Sequence, residues 1–141
     1  MKPADAVLDR QAGDYRHFRL DKDADGIVWV TFDKAGASTN TFSADVMAEF
    51  TAIVERLGQE RPRGMVICSG KDSGFIAGAD VEEFTRVADV DGALAIVRRG
   101  WDAFNQLAAL PFPTLALVRG FCMGGGLELA SSAHIRVAEQ S

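Results

Sequence analysis

Two stretches of this chain hold residue types from which chemistry can be built. One is Met123-Gly124-Gly125-Gly126-Leu127-Glu128-Leu129; the other is Phe75-Ile76-Ala77-Gly78-Ala79-Asp80. Each comes after a short apolar run that reads as a buried strand, where backbone N–H groups and side chains become free. In the first stretch the glycines open a predicted helix. The leading N–H groups of a helix have no partner within it, and the macrodipole adds partial positive charge there. Glycines let a ligand come close to that backbone. The spot suits an anion, or an oxygen that becomes one during reaction. Glu128 lies three residues after Gly125, one turn on and on the same face. A carboxylate so placed is a candidate general acid or base for whatever Gly125 polarises.

Taken singly, these features have plainer explanations. Three glycines before a helix often serve only close helix–strand packing. A Glu in a first helical turn is commonly a solvated residue favoured by the dipole. Asp80 reads equally well as the N-cap of a short helix from Val81. Neither GxGxxG nor GxxxxGK[ST] is present, so no nucleotide fingerprint exists. Asp21 to Gly26 (DKDADG) has the look of a calcium loop, but its twelfth position is Phe32 rather than a bidentate Glu. A hairpin turn is the better reading. Cys122 sits just before the glycines with no His or other base near it in sequence, so it reads as a small packed thiol. His134 reads as packed at the start of the last strand, and Trp101 and Phe104 as core.

The elements that must position these residues follow from apolar spacing. Tyr15–Leu20 and Ile27–Phe32 form a hairpin across the DKDADG turn. Ser43 can cap a helix to about Gln59, with Val46, Phe50, Ile53, Val54 and Leu57 on one face. Gly58 and Pro62 end it. Gly64–Ser69 is a buried strand, 70–80 is irregular, and Val81–Val87 is a short helix. Asp91–Leu110 is a longer helix with Leu94, Val97, Trp101, Phe104 and Ala108 on its stripe. Thr114–Val118 is a buried strand, 120–126 a turn, Leu127–Ser132 a helix and His134–Ala138 a last strand. The order β-β-α-β-α-β-α-β, with fully apolar strands, argues α/β with a buried sheet. No internal repeat or linker stands out. Residues 1–14 are polar and pattern-free, a loose leader before one domain from 15 to 141.

Composition bounds the function classes. The 141 residues are 48% hydrophobic and 25% charged, ordinary for a globular domain and unlike a disordered or fibrous chain. Fifteen basic against twenty acidic residues leave a charge of −5 and no basic run, which argues against nucleic acid. Mean hydropathy is +0.03, and no apolar run approaches the roughly 20 residues of a membrane span. Met1 to Leu20 is charged throughout without an apolar h-region, so no secretory signal is expected. Cys68 and Cys122 form no CxxC and have no His at ligand spacing, so no metal site is expected and reduced thiols in a cytoplasm are favoured.

Together the motifs resemble the enoyl-CoA hydratase/isomerase (crotonase) superfamily. The matching pieces are Asn40-Thr41, Gly74–Phe84 (GFIAGADVEEF), Pro113–Gly120 (PTLALVRG) and Gly124–Ala130 (GGGLELA). FIAGAD followed by GGGLELA is most similar to the hydratase part of bacterial multifunctional fatty-acid oxidation α-subunits. The resemblance covers Tyr15 to Glu139 and implies the N-terminal part of a spiral of ββα units. It implies an oxyanion hole from the backbone N–H groups of Ala79 and Gly125, which would hold a thioester oxygen as an enolate forms. It places one catalytic carboxylate on Glu128. It lines the CoA and acyl path with backbone at Ser38 and with Ala77, Gly78, Ala79 and Asp80, beside Gly125. Lys71 and Arg119 flank the two loops, where each is either solvated or in reach of a CoA phosphate.

The implied activity is hydration of a 2-enoyl-CoA in fatty-acid β-oxidation. The substrate carries the coenzyme A, so no cofactor is expected, and NAD enters only if a dehydrogenase part follows in a longer protein. A homotrimer, or an α/β complex with a thiolase, is the implied assembly. The family's hydratases use a second glutamate about twenty residues after the first, one acting as acid and one as base. Here that position falls beyond Ser141. A single carboxylate with an oxyanion hole suits Δ3–Δ2 enoyl isomerisation, and an inactive acyl-CoA-binding fragment is the remaining alternative.

Overall fold

The computed structural model describes residues 9–10, 15–87 and 89–140. Strand β1 (Asp9–Arg10) lies antiparallel to β2 (Phe18–Lys22), which pairs antiparallel with β3 (Ile27–Phe32). The hairpin is shifted from its expected place: β2 runs on through Asp21 and Lys22, and the turn is shorter. The cause is Asp23, whose carboxylate accepts the N–H groups of Asp25 (2.9 Å) and Ile27 (3.0 Å) and the indole N–H of Trp29 (2.9 Å). Burial opposes the charge of Asp23, but these donors outweigh it and hold its pKa below the ordinary carboxylate value. The remainder of the expected leader, 1–8 and 11–14, lies outside the described residues.

Helix α1 (Ala44–Glu60) crosses over to β4 (Gly64–Ser69), which pairs parallel with β3. Its five buried residues are the five expected: Val46, Phe50, Ile53, Val54 and Leu57. Ser43 sits at the N-cap, but its hydroxyl donates to Asp45 rather than to the helix backbone. Gly58 stays inside the helix. The stop is Arg61, left-handed at φ 51°, with Pro62 after it.

After β4 come β5 (Gly74–Ile76), α2 (Val81–Thr85) and α3 (Val90–Ala108), then β6 (Thr114–Val118), β7 (Phe121–Cys122), α4 (Gly125–Ser132) and β8 (Ile135–Ala138). The main sheet has the order β1-β2-β3-β4-β6-β8, parallel from β3 onward. β5 and β7 pair with each other in a second, two-stranded sheet. Neither strand is expected from sequence periodicity, which reads 70–80 as irregular and 120–126 as a turn. With them included, β2-β3-α1, β4-β5-α3 and β6-β7-α4 are three successive ββα units.

Five phenylalanines tie the layers together. Phe18 stacks on Phe32 at 4.7 Å, and Phe50 and Phe104 meet edge to face at 6.2 Å. Phe42 touches both Phe32 (5.9 Å) and Phe104 (5.7 Å), which carries the core directly to the second sheet. On α3 the expected apolar stripe is only partly core. Ala103, Phe104 and Leu107 are buried, while Leu94, Val97 and Trp101 are exposed, Trp101 at 59%. The reading of Trp101 as core is therefore corrected: α3 buries its C-terminal residues, and Val97 and Trp101 of the stripe line a cavity.

Candidate active site

The two glycine-rich stretches lie side by side because β5 and β7 pair. The Met123 N–H donates to the Ile76 carbonyl at 3.0 Å, just where both strands end. Gly78 (φ 109°) and Gly124 (φ 54°) then turn the two chains in conformations that side chains rarely adopt. A Cβ on Gly124 would stand 3.5 Å from the Gly78 Cα, so the turns touch backbone to backbone.

Ala79 acquires a free N–H from strand geometry. Phe42 donates to the Gly78 carbonyl and accepts from the Asp80 N–H, both at 2.8 Å. Phe42 thus straddles Ala79, and in such a parallel bridge the straddled residue turns its own N–H to the other side. Among the described residues, no acceptor meets it. Gly125 acquires a free N–H from helix geometry. It is the first residue of α4, while Gly126 and Glu128 donate to Met123 and Gly124 carbonyls at 2.9 and 3.1 Å. No acceptor among the described residues meets the Gly125 N–H either.

Ala79, Gly125 and Glu128 all line one cavity of about 190 Å³. Its wall is largely apolar, with Phe42 and Met47 on one side and Val97, Trp101 and Phe104 of α3 on the other. The cavity is open to solvent, since Ala79, Val97, Trp101 and Glu128 are all exposed, so a ligand seated on the apolar wall is what would complete the exclusion of water that strengthens a donor's pull. The Glu128 carboxylate is exposed and has no cation or donor partner among the described residues. It is therefore free to exchange a proton with a ligand.

The other residues singled out in the sequence do not line this cavity. The Ala77 N–H is spent on the Asn40 carbonyl at 2.9 Å. Gly78 packs behind, against Met123 and Gly124. Asp80 caps α2, accepting from the Glu83 N–H at 3.3 Å, and its second oxygen takes the Lys34 ammonium at 3.2 Å. The Glu83 N–H first, and Lys34 after it, hold the Asp80 carboxyl below its ordinary pKa against a modest burial cost. Ser38 lies exposed on the loop 33–41, with its carbonyl taken by the Ser73 hydroxyl at 2.9 Å.

Among the lining residues that the sequence does not single out for the site, Glu83, Arg99 and Trp101 bring charge or a large ring. Glu83 brings a second carboxylate to the cavity; its Oε1 accepts the Ala44 N–H at 2.7 Å and so caps α1 from another helix. Arg99 and Trp101 come from the exposed part of α3. A signal existed in α3, whose apolar stripe is longer than one α1 contact face requires. Asn40 was noted only as part of a motif. It is fully buried, its Nδ2 reaching Phe32 O (2.9 Å), Ser69 Oγ (3.1 Å) and Phe75 O (3.0 Å) and its Oδ1 accepting the Lys34 N–H (3.0 Å). Cys122 is half-buried and its thiol is pushed above its ordinary pKa by burial, which disfavours the thiolate a nucleophile needs. His134 joins elements: its N–H donates to Thr114 Oγ1 at 2.9 Å, and its Nε2 meets the Ala108 carbonyl at 3.0 Å.

The chain has counterparts in sequence and in fold. Fatty acid oxidation complex subunit alpha of Shewanella amazonensis is 37% identical over 125 residues, 88% of this chain and 18% of that one. The subunit of the same name from Vibrio cholerae is 38% identical over 87% of this chain. An enoyl-CoA hydratase from Geobacillus kaustophilus superposes with a TM-score of 0.82 at 22% identity, covering 94% of this chain and 48% of that one. One from Mycobacterium smegmatis gives 0.80 at 24% identity over 86% and 47%. These two structures establish the crotonase fold. The chain spans under a fifth of the length of the curated relatives and about half that of the solved structures. No helix among the described residues is long and apolar enough to cross a membrane. Residues 22–141 match the enoyl-CoA hydratase/isomerase family, and the chain belongs to it.

Proposed function

We propose that the cavity holds the acyl end of a 2-enoyl-CoA thioester and that the protein hydrates it in fatty-acid β-oxidation. The observation that carries this is the convergence of two unpaired N–H groups and one unpaired carboxylate on a single apolar cavity. The thioester oxygen sits between the Ala79 and Gly125 N–H groups. Water adds through its oxygen at C3, giving a proton to Glu128, while the C2=C3 electrons move onto the thioester as an enolate. The two N–H groups bind that developing charge more strongly than the ground-state carbonyl, which lowers the barrier. Glu128 then returns a proton to C2, and the thioester carbonyl reforms. The coenzyme A arrives with the substrate, so no resident cofactor is required.

A second reading, Δ3–Δ2 isomerisation, is favoured by one observation. Glu83 is committed to the Ala44 N–H, which leaves Glu128 as the freer of the two carboxylates to shuttle a proton between C2 and C4. The curated relatives are named as subunits of a fatty acid oxidation complex. A homotrimer or a complex with a thiolase subunit, a cytoplasmic setting, and NAD use through an additional dehydrogenase part all belong to this proposal.

The test is turnover of 2-butenoyl-CoA, followed by loss of the conjugated enoyl absorbance and by product mass. A mass gain of one water identifies hydration; an isomer of a 3-enoyl-CoA substrate identifies isomerisation. Glu128→Gln is expected to lower turnover by about 10² or more, the usual worth of a positioned acid–base group. Unchanged turnover removes Glu128 from the mechanism. Calorimetric binding without turnover would leave the chain an acyl-CoA binder.

A further inference from the structure

The loop 33–41 has an internal cation at its centre. Lys71 stands in the turn between β4 and β5, its side chain only 14% exposed. Its ammonium meets the Lys34 carbonyl at 2.7 Å, Asp33 Oδ1 at 2.7 Å and the Ala37 carbonyl. An ammonium has three N–H donors, and all three are used. Lys71 therefore has none left for a phosphate, and it is not solvated in the ordinary sense. Its own backbone is also pinned: its N–H donates to Ser69 Oγ at 3.0 Å, and its carbonyl accepts from the Arg119 guanidinium.

This arrangement gives the loop a polarity. Lys71 and the Ser73 hydroxyl draw the carbonyls of Lys34, Ala37 and Ser38 inward. On the other flank, the Ala35 N–H is held by His17 Nδ1 at 3.0 Å and the Lys34 N–H by Asn40. The exposed tip keeps the N–H groups of Gly36 and Ser38, which meet no acceptor among the described residues. With three of its carbonyls engaged and the N–H groups of Gly36 and Ser38 unengaged, the tip offers donors to an acceptor-rich ligand.

We propose that Lys71 is a positioning residue for the nucleotide-bearing end of the CoA thioester, acting through the loop 33–41 rather than by touching the ligand. This rests on the enoyl-CoA reading above, with Ser38 backbone on the CoA path. Without the ammonium, Asp33 Oδ1 and the Ala37 carbonyl lose their shared donor, and the Lys34 carbonyl keeps only the long contact from the Ala37 N–H at 3.4 Å. The loop then loses its preformed shape, and ordering it is charged against binding. The acyl end, held by Ala79 and Gly125, is unaffected.

The experiment is calorimetry on the full chain with two probes, 2-butenoyl-CoA and the truncated 2-butenoyl N-acetylcysteamine thioester, which lacks the nucleotide. Lys71→Met is expected to weaken the CoA probe by about tenfold or more, the scale of losing charge-assisted hydrogen bonds, and to leave the truncated probe unchanged. Asp33→Asn keeps both carbonyl contacts and should weaken the CoA probe by about threefold. It also serves if Lys71→Met does not fold. Equal weakening of both probes, or of neither, overturns the positioning role. Failure of the unsubstituted chain to bind the CoA probe overturns the enoyl-CoA reading itself, a result that the variants cannot mimic.

Discussion

The two backbone donors of this cavity look equivalent from the ligand's side, yet they are built by different physics. Ala79 is free because Phe42 straddles it in a strand bridge, taking the groups of Gly78 and Asp80 instead. Gly125 is free because it begins a helix, where every chain leaves N–H groups unpaired. The first device is indifferent to side-chain size: Ala79 already carries a Cβ and is exposed. The second is not. A Cβ on Gly125 would lie 2.8 Å from Phe42 Cδ2, and one on Gly126 would lie 2.7 Å from both the Ile76 Cβ and its carbonyl oxygen. A strand bridge selects a hydrogen-bond pattern, whereas a helix start pressed onto another strand selects glycine.

The sharpest break of this comparison is Ala79→Pro. It deletes the N–H while removing no hydrogen bond made within the chain, because that N–H has no partner. Under the enoyl-CoA reading, kcat/KM should fall by about 10²–10³, equivalent to about 2.7–4 kcal/mol of lost transition-state stabilisation. The thermal midpoint is measured alongside. A folded Ala79→Pro protein with unchanged kcat/KM would leave Gly125 as the working donor and end the two-donor description.

Stability sharpens it next. Gly126→Ala drives a Cβ into backbone and should cost about 1–3 kcal/mol, the usual range for overpacking, read as a lower midpoint in urea. Gly125→Ala meets only the rim of the Phe42 ring and should cost less. Adding Phe42→Leu should recover Gly125→Ala and leave Gly126→Ala uncorrected. If Phe42→Leu recovers neither, the close approach of α4 to the second sheet is not what demands these glycines.

Much of this was legible in the sequence, for identifiable reasons. α1 was readable because Val46, Phe50, Ile53, Val54 and Leu57 recur at helical spacing, and all five are buried. β3 and β4 were readable because each is six residues of apolar and β-branched chain. β5 and β7 were not, because three and two residues are too short for any period to register. Their loss concealed the repeat of ββα units, which depends on the second strand of each. Of the residues picked by motif, the structure brings Ala79, Gly125 and Glu128 to one cavity and leaves Ser38, Ala77, Gly78 and Asp80 out of its lining. Trp101 was misread because periodicity identifies an apolar face without saying whether protein or ligand covers it. Lys71 was misread because three converging oxygens, two of them main-chain carbonyls, leave no trace in residue types.

The smallest expected effect separates the two arms by acidity. The Ala79 arm has a titratable anchor in Asp80, which caps α2 and pairs with Lys34; the start of α4 at Gly125 has no side-chain cap. The folded-state pKa of Asp80 is lowered, by the Glu83 N–H first and Lys34 after it. A lowered pKa means that the carboxylate stabilises the folded state above the ordinary carboxylate range. That contribution is lost as pH falls through the folded-state value, below about 4. Asp80→Asn keeps a cap but not the charge, so it should cost about 0.5 kcal/mol near pH 7 and flatten the loss of stability below pH 4. Amide exchange on the unsubstituted chain at acid pH should then loosen the Phe42 and Asp80 N–H groups before the Gly126 and Glu128 N–H groups. Simultaneous loosening of both sets would mean that the two arms open as one unit, and that the strand bridge and the helix start are a single cooperative element.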